Sequence, residues 1–211
     1  MSNGSEVSIC NQAISWLGGN LLLSLADNTT EGRLCAANYA ILRDAVLEAA
    51  PWTFAQRRVV LTPLAAIPAW GYSTQFLLPG DVLHVEYCGR SGRWEEDDSI
   101  DDWQKEQSQD GQNVIVCNQS IVYARYTQRV TDVKLMSTLF TQALAARLAM
   151  DLATPITNSR SMLQSMAEMF AGKMREAAAQ DGKQGRMRRI TGNILMNARR
   201  AGGTSWGSPT V

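Results

Sequence analysis

Apolar residues recur at helical spacing at both ends of this chain and in short strand-like runs through its middle. That change of period, made twice, limits the fold more than any other feature. Residues 5–17 carry Val7, Ile9, Cys10, Ala13, Ile14 and Leu17 at mixed three- and four-residue steps, with Ser5 placed to cap a helix and Gly18-Gly19 to stop it. A second, longer helix is expected from Glu31 to Ala49, with Leu34, Asn38, Ile41, Leu42, Ala45 and Val46 on its inner side. Pro51 ends it, because a proline pushes the residue before it out of helical backbone geometry.

From Arg57 to Thr127 the pattern becomes strand-like. Val59–Leu61, Phe76–Leu78, Val82–Tyr87, Val114–Val116 and Ile121–Tyr126 are apolar or alternating runs parted by Pro, Gly, Asp and Asn, as in an antiparallel sheet or small barrel. Alternation puts His84 and Glu86 opposite Val85 and Tyr87, with one face wet. The acid- and glutamine-rich insert from Ser91 to Gln112 reads as a hairpin tip or long loop. The helical period then returns. Phe140, Ala143, Leu144, Leu148 and Leu152 predict a third helix over Ser137–Ala153, with Arg147 and Asp151 one turn apart and Thr154-Pro155 as its end. Thr157 or Asn158 would cap a fourth helix reaching about Gln180, whose stripe is Met162, Met166, Met169, Phe170, Met174 and Ala177.

This order predicts an α+β protein: a four-helix bundle from the N- and C-terminal segments, an inserted antiparallel β domain and an extended C-terminal arm. The expected boundaries are 1–55 and 131–181 for the two helical parts, 56–130 for the β domain and 182–211 for the arm. A hydrophobic content of 45% against 19% charged residues is globular rather than disordered usage.

The formal charge of zero hides an asymmetry. Residues 182–211 hold six basic side chains and no acid, which leaves 14 basic against 20 acidic in residues 1–181, a body at −6 and a tail at +6. Lys183, Arg186, Arg188, Arg189, Arg199 and Arg200 are spread through this glycine-rich segment. Such arginines can neutralise phosphates, which makes a DNA-binding module one functional class, or pair in bidentate fashion with carboxylates of a protein neighbour.

Catalytic, metal and cofactor sites find little support. Cys10, Cys35, Cys88 and Cys117 form no Cys-x-x-Cys pair and read as reduced thiols. The run Glu95-Glu96-Asp97-Asp98 with Asp101-Asp102 lacks the turn glycine and distal glutamate of a calcium loop and reads as a solvated acidic loop. His84, the single histidine, has no serine or cysteine motif around it, and Gly89-x-x-Gly92 opens no helix and has no Lys-Ser or Lys-Thr partner. The expectation is therefore a non-enzyme with no catalytic, metal or cofactor residues. No basic region precedes an apolar run at the N-terminus and Leu21–Leu25 is too short to span a bilayer, so synthesis in a host cytoplasm without a membrane anchor is expected. The Asn3, Asn28 and Asn118 triplets are read as chance glycosylation matches.

A further pattern lies in the order of motifs. Asn11-Gln12-Ala13-Ile14 through Leu17-Gly18 leads to Thr29-Thr30-Glu31, Leu42-Arg43-Asp44-Ala45-Val46-Leu47 and Ala50-Pro51-Trp52-Thr53-Phe54-Ala55. Leu78-Pro79-Gly80-Asp81-Val82-Leu83, Tyr126-Thr127-Gln128-Arg129-Val130-Thr131-Asp132 and the Ala-Leu-rich stretch from Ala143 to Leu152 follow. From about Val7 to Asp181 this order resembles the tail tubular protein A family, the head-to-tail adaptors of short-tailed bacteriophages; residues 95–112 and the tail depart from it.

The resemblance implies a virion structural protein at the head–tail junction: a homo-oligomeric, dodecameric ring that docks on the portal, extends the DNA channel and supports the tail nozzle. It implies a helical bundle with an inserted β domain, no cofactor and no turnover. DNA would pass without sequence-specific binding, through a lumen that the acidic body suggests is acidic or neutral. Arg186, Arg188, Arg189, Ile190, Ile194, Leu195, Arg199, Arg200 and Trp206 become candidates for contact with the portal or a neighbouring subunit, since Trp and Arg most often anchor interfaces. The remote alternative is a cell-wall glycan hydrolase using paired carboxylates such as Glu95 and Asp101.

Overall fold

A computed structural model describes residues 5–92 and 98–184. It is an α+β arrangement of four helices and two three-stranded antiparallel sheets. The first helix, α1 (Glu6–Leu17), begins and ends where the residue types require. The Ser5 hydroxyl accepts from the Ser8 N–H at 3.1 Å, and Ser8 returns the bond to the Ser5 N–H at 2.9 Å. Gly18 closes the helix in the left-handed region at φ 72°, which costs glycine nothing.

Helix α2 (Thr30–Glu48) starts under the Thr29 hydroxyl, which accepts from the Gly32 N–H at 3.0 Å. Its buried side differs from the expected one: Cys35, Tyr39, Leu42, Val46 and Leu47 face inward, whereas Ile41 and Ala45 are exposed and Leu34 and Asn38 half-buried. Alanine on both flanks makes the apolar stripe ambiguous, and the larger burial available to Tyr39 and Leu47 decides the rotation.

After a 3-10 turn at Thr53–Ala55 come β1 (Gln56–Leu61), β2 (Thr74–Leu77), β3 (Val82–Gly89), β4 (Trp103–Gln107), β5 (Asn113–Cys117) and β6 (Val122–Gln128). One sheet has the order β1-β6-β3 and the other β2-β5-β4. Strand β4 corrects the expectation of a loop through residues 91–112. Its Trp-Gln-Lys-Glu-Gln has only one apolar side chain to announce it, yet it pairs with β5 from Trp103↔Cys117 to Gln107↔Asn113.

The alternation in β3 is also broken. Register shifts fall between Val82 and His84 and between Val85 and Tyr87, so that His84 lies opposite Thr127 and Tyr87 opposite Arg125. Glu86 is the extra residue of a bulge, which moves Tyr87 to the same face as His84 and gives Cys88 the inward position.

Helix α3 (Thr138–Thr157) runs past the expected stop: Pro155 sits within its last turn, where it removes one hydrogen bond without ending the helix. Asn158, in the left-handed region at φ 50°, terminates α3, and Ser159, rather than Thr157 or Asn158, caps α4 (Arg160–Gly182) through the Met162 N–H at 3.3 Å. All four helices contribute to one apolar core, with α3 most deeply buried: Phe140, Leu144, Leu148 and a set of alanines have no exposure. The alanines let neighbouring backbones approach closely, which is how one helix serves as the centre.

Trp52 bridges this core to the strands. Its indole N–H donates to the Val46 carbonyl at 2.8 Å, and its ring meets Phe140 edge-on at 5.0 Å, as does that of Phe54, which lies 6.2 Å from Trp52 in the same cluster. A second core, containing Phe76, Leu78, Val85, Cys88, Ile115, Cys117, Val122 and Tyr126, lies between the strands.

Candidate functional site

The seam between helices and strands holds the most concentrated polar chemistry. The bulge aims Glu86 into a socket where its carboxylate accepts from Thr127 Oγ1 at 2.9 Å and from Gln56 Nε2 at 3.1 Å, and pairs with Arg125 Nε at 2.9 Å. Burial pushes the Arg125 guanidinium down from its ordinary value, and the Glu86 charge opposes that shift. Glu86, Arg125 and Thr127 border a cleft of about 360 Å³ with Glu48, Ala49, Ala50, Pro51 and His84. Both Glu86 oxygens are already engaged by donors, so this carboxylate of β3 ties β1 and β6 together, while Gln56 Nε2 also donates to the Pro51 carbonyl at 3.2 Å and links the strands to the segment that follows α2.

Two further ties cross the same seam. Asp181 near the end of α4 is buried and accepts from both the Thr53 N–H at 2.8 Å and the Thr53 hydroxyl at 2.9 Å. Asp44 on α2 receives Arg43 at 2.8 Å and Arg129 at 2.7 Å, joining the helix to the segment that leaves β6. The Arg147–Asp151 pair expected from their spacing forms at 3.5 Å on α3.

The larger concavity lies elsewhere, on the sheet β2-β5-β4. One face of this sheet carries Phe76, Ile115, Cys117 and Trp103 into the strand core. The other carries Gln75, Val116 and Gln104 in one cross-strand row. Segment 62–73 folds over that second face and is pinned at 2.8 Å both by Gln75 Nε2 to the Ala66 carbonyl and by the Tyr72 hydroxyl to Asp102. The Tyr72 phenol is pushed up, first by this bond to the carboxylate. What remains open is a groove of about 710 Å³, walled by Ile67 and Trp70 on one side and by Asp102, Glu106 and Asp110 on the other. Trp70 is 87% exposed, and no basic residue is among the lining.

Large apolar side chains are exposed on the helical side as well: Leu21 and Leu23 in the α1–α2 connector, the latter 95% exposed, and Ile41 on α2. Along α4 only Met166 and Ala177 of the predicted stripe are buried, while Met162, Met169, Phe170 and Met174 are half-covered. This is a methionine-rich flank with area left over.

The sequence-predicted interface residues Arg186, Arg188, Arg189, Ile190, Ile194, Leu195, Arg199, Arg200 and Trp206 lie outside the described residues, as does Glu95. Asp101, the other carboxylate of the hydrolase alternative, is exposed. Among the described residues no group of His, Cys, Asp and Glu could hold a metal ion, and no helix is long and apolar enough to cross a membrane. The four thiols are buried, and the Cys10 thiol is pushed up by its bond to Cys35 and by burial. Sequence reasoning missed the groove, although Ile67-Pro68-Ala69-Trp70 places two large apolar residues in a proline-bearing connector, a signal of exposure that could have been weighed. No protein-family model matches the chain, and no curated protein matches it.

Proposed function

We propose that the chain is a head-to-tail adaptor of a short-tailed phage virion, acting by assembly: copies join into a ring, dodecameric as the resemblance implies, which docks on the portal, extends the DNA channel and carries the tail nozzle. The observation that carries the reading is that large apolar side chains stand exposed on both parts of the subunit, Leu21, Leu23 and Ile41 on the helical part and Ile67 and Trp70 on the strand part. A closed ring is made by heterologous contacts, in which one patch of a subunit meets a different patch of the next, and such a subunit needs two surfaces of this kind. The half-covered methionine flank of α4 adds adaptable area suited to a subunit or portal contact.

The arrangement of the chain supports the same reading. Helices from residues 6–48 and 138–182 share a core while residues 56–128 form the strands between them. Helices at both ends with strands between are what a helical bundle with an inserted β domain, the architecture that the family resemblance implies, calls for. The seam ties fit a subunit that transmits load through a fixed junction, and DNA would cross the ring through a lumen of acidic or neutral character without sequence-specific contacts. The experiment is incubation of the full chain with portal rings, followed by electron microscopy. A second ring on one face of the portal supports the reading, and a protein that leaves portals bare overturns it.

A further inference from the structure

We infer that the acidic groove beneath Trp70 is the receptor for the basic C-terminal segment, residues 185–211, of a neighbouring copy of this chain. The inference deepens the ring reading and rests on it only in requiring a second copy.

The groove has the chemistry for such an occupant. Along β4 the side chains alternate: Trp103 packs on the strand core and Lys105 donates to the Leu83 carbonyl at 3.2 Å on one side, leaving Asp102, Gln104 and Glu106 on the groove side. Asp110, from the turn that follows, continues the acidic wall. Opposite stands Trp70, whose exposed indole offers a face on which a guanidinium can stack. Carboxylates facing an aromatic across a preformed channel suit an arginine-rich extended segment better than a neutral or acidic one. The pins at Ala66 and Asp102 hold the channel open before anything binds, which lowers the ordering cost of docking.

The occupant is equally specified. Residues 185–211 contain Arg186, Arg188, Arg189, Arg199 and Arg200 and no acid, the only such block of the sequence, whereas the body has an acidic excess. Fully extended, the segment reaches roughly 90 Å at most, enough to cross to another subunit. The end of α4 is tied by Asp181 to Thr53 in the turn before β1, and the groove is walled by the connector that leaves the other end of β1 after Leu61, so the arm starts one strand length from its own groove. The ring reading, in which unlike surfaces of adjacent copies meet, selects the neighbour's groove. An arm of one subunit in a groove of the next is the heterologous contact that repeats around a ring.

The test uses a fluorescein-labelled peptide of residues 185–211 and, as receptor, the full chain carrying Arg186→Glu, Arg188→Glu, Arg189→Glu, Arg199→Glu and Arg200→Glu, whose own arm cannot compete. Fluorescence anisotropy should report binding that weakens with added salt. In that receptor, affinity should fall at least about tenfold with Trp70→Ala and, separately, with Glu106→Lys plus Asp110→Lys, while Glu168→Lys plus Glu176→Lys on α4 leaves it unchanged. Trp70, Glu106, Asp110, Glu168 and Glu176 are all exposed and none of them holds a pin of the groove, so folding is retained and a circular-dichroism melt verifies it. Absence of binding, or equal loss in the α4 control, overturns the inference. So does peptide that binds duplex DNA yet is indifferent to the groove substitutions, which would favour the DNA-binding class.

The second copy is tested by mixing the arm-reversed chain with a Glu106→Lys, Asp110→Lys chain bearing a native arm. Sedimentation should show a heterodimer that neither chain forms alone, and monomers throughout would overturn the assignment to a neighbour. Rings on portals without peptide binding would sink this inference alone; peptide binding without rings would sink the ring reading alone.

Discussion

Removing the Glu86 carboxylate should loosen the seam by a predictable amount. Its side chain is 8% exposed and its partner Arg125 24%, so the pair sits where solvent screening is weak. Glu86→Ala leaves three donor groups, on Gln56, Thr127 and Arg125, without their common acceptor. Breaking a buried pair by deleting one partner costs about 3–5 kcal/mol, because the remaining charge is left desolvated. For a chain of this size each kcal/mol moves the melting temperature by roughly 2–4 °C, so a drop of about 6–20 °C is expected. Glu86→Leu with Arg125→Leu removes both charges and should recover much of that loss. The assay is thermal and urea unfolding of the wild type, both single variants and the double variant. A Glu86→Ala loss below about 1 kcal/mol, or a double variant as unstable as the sum of the singles, would refute the claim that this carboxylate organises the seam.

Three other outcomes follow from the packing. Leu148→Asp puts a carboxylate at a fully buried position of α3 and should cost more than about 3 kcal/mol, seen as insoluble or early-melting protein; a soluble, normally melting variant would contradict the placement of α3. Gly32→Ala ought to destabilise by unfolding assay although alanine favours helices, because its Cβ would collide with the Asp27 backbone carbonyl, and a stabilised variant would show that the turn before α2 yields easily. Native protein should resist thiol-directed disulfide reagents at mild alkaline pH until denatured. Burial pushes Cys88 up to about 12 and the Cys35 bond with burial pushes Cys10 up, whereas Cys35 is pushed down by its bond with Cys10 and is shielded because it has no exposure; rapid labelling of the folded chain would count against the packing.

Helix ends were legible where a residue type has one local job, as with Ser5 and Gly18, and the core of α3 was legible because its leucines and alanines repeat cleanly. Pro155 misled because a proline in a last turn removes one hydrogen bond and need not end the helix there. Strand β4 was hidden because an edge strand with one face over a groove needs no apolar alternation, and the side on which Tyr87 falls depends on a bulge that no local pattern announces. The tie between Asp181 and Thr53 spans 128 residues and has no sequence signature at all. The groove escaped for a related reason: its two walls come from segments about thirty residues apart, each of which alone reads as an ordinary connector.

The most direct measurement of the central claim is electron microscopy of the full-length chain mixed with portal rings. The account predicts an added ring of this protein on one face of each portal, coaxial with the channel and with a lumen wide enough for duplex DNA. Portals that remain bare while the added protein stays folded, or a ring whose lumen is closed to DNA, would contradict it.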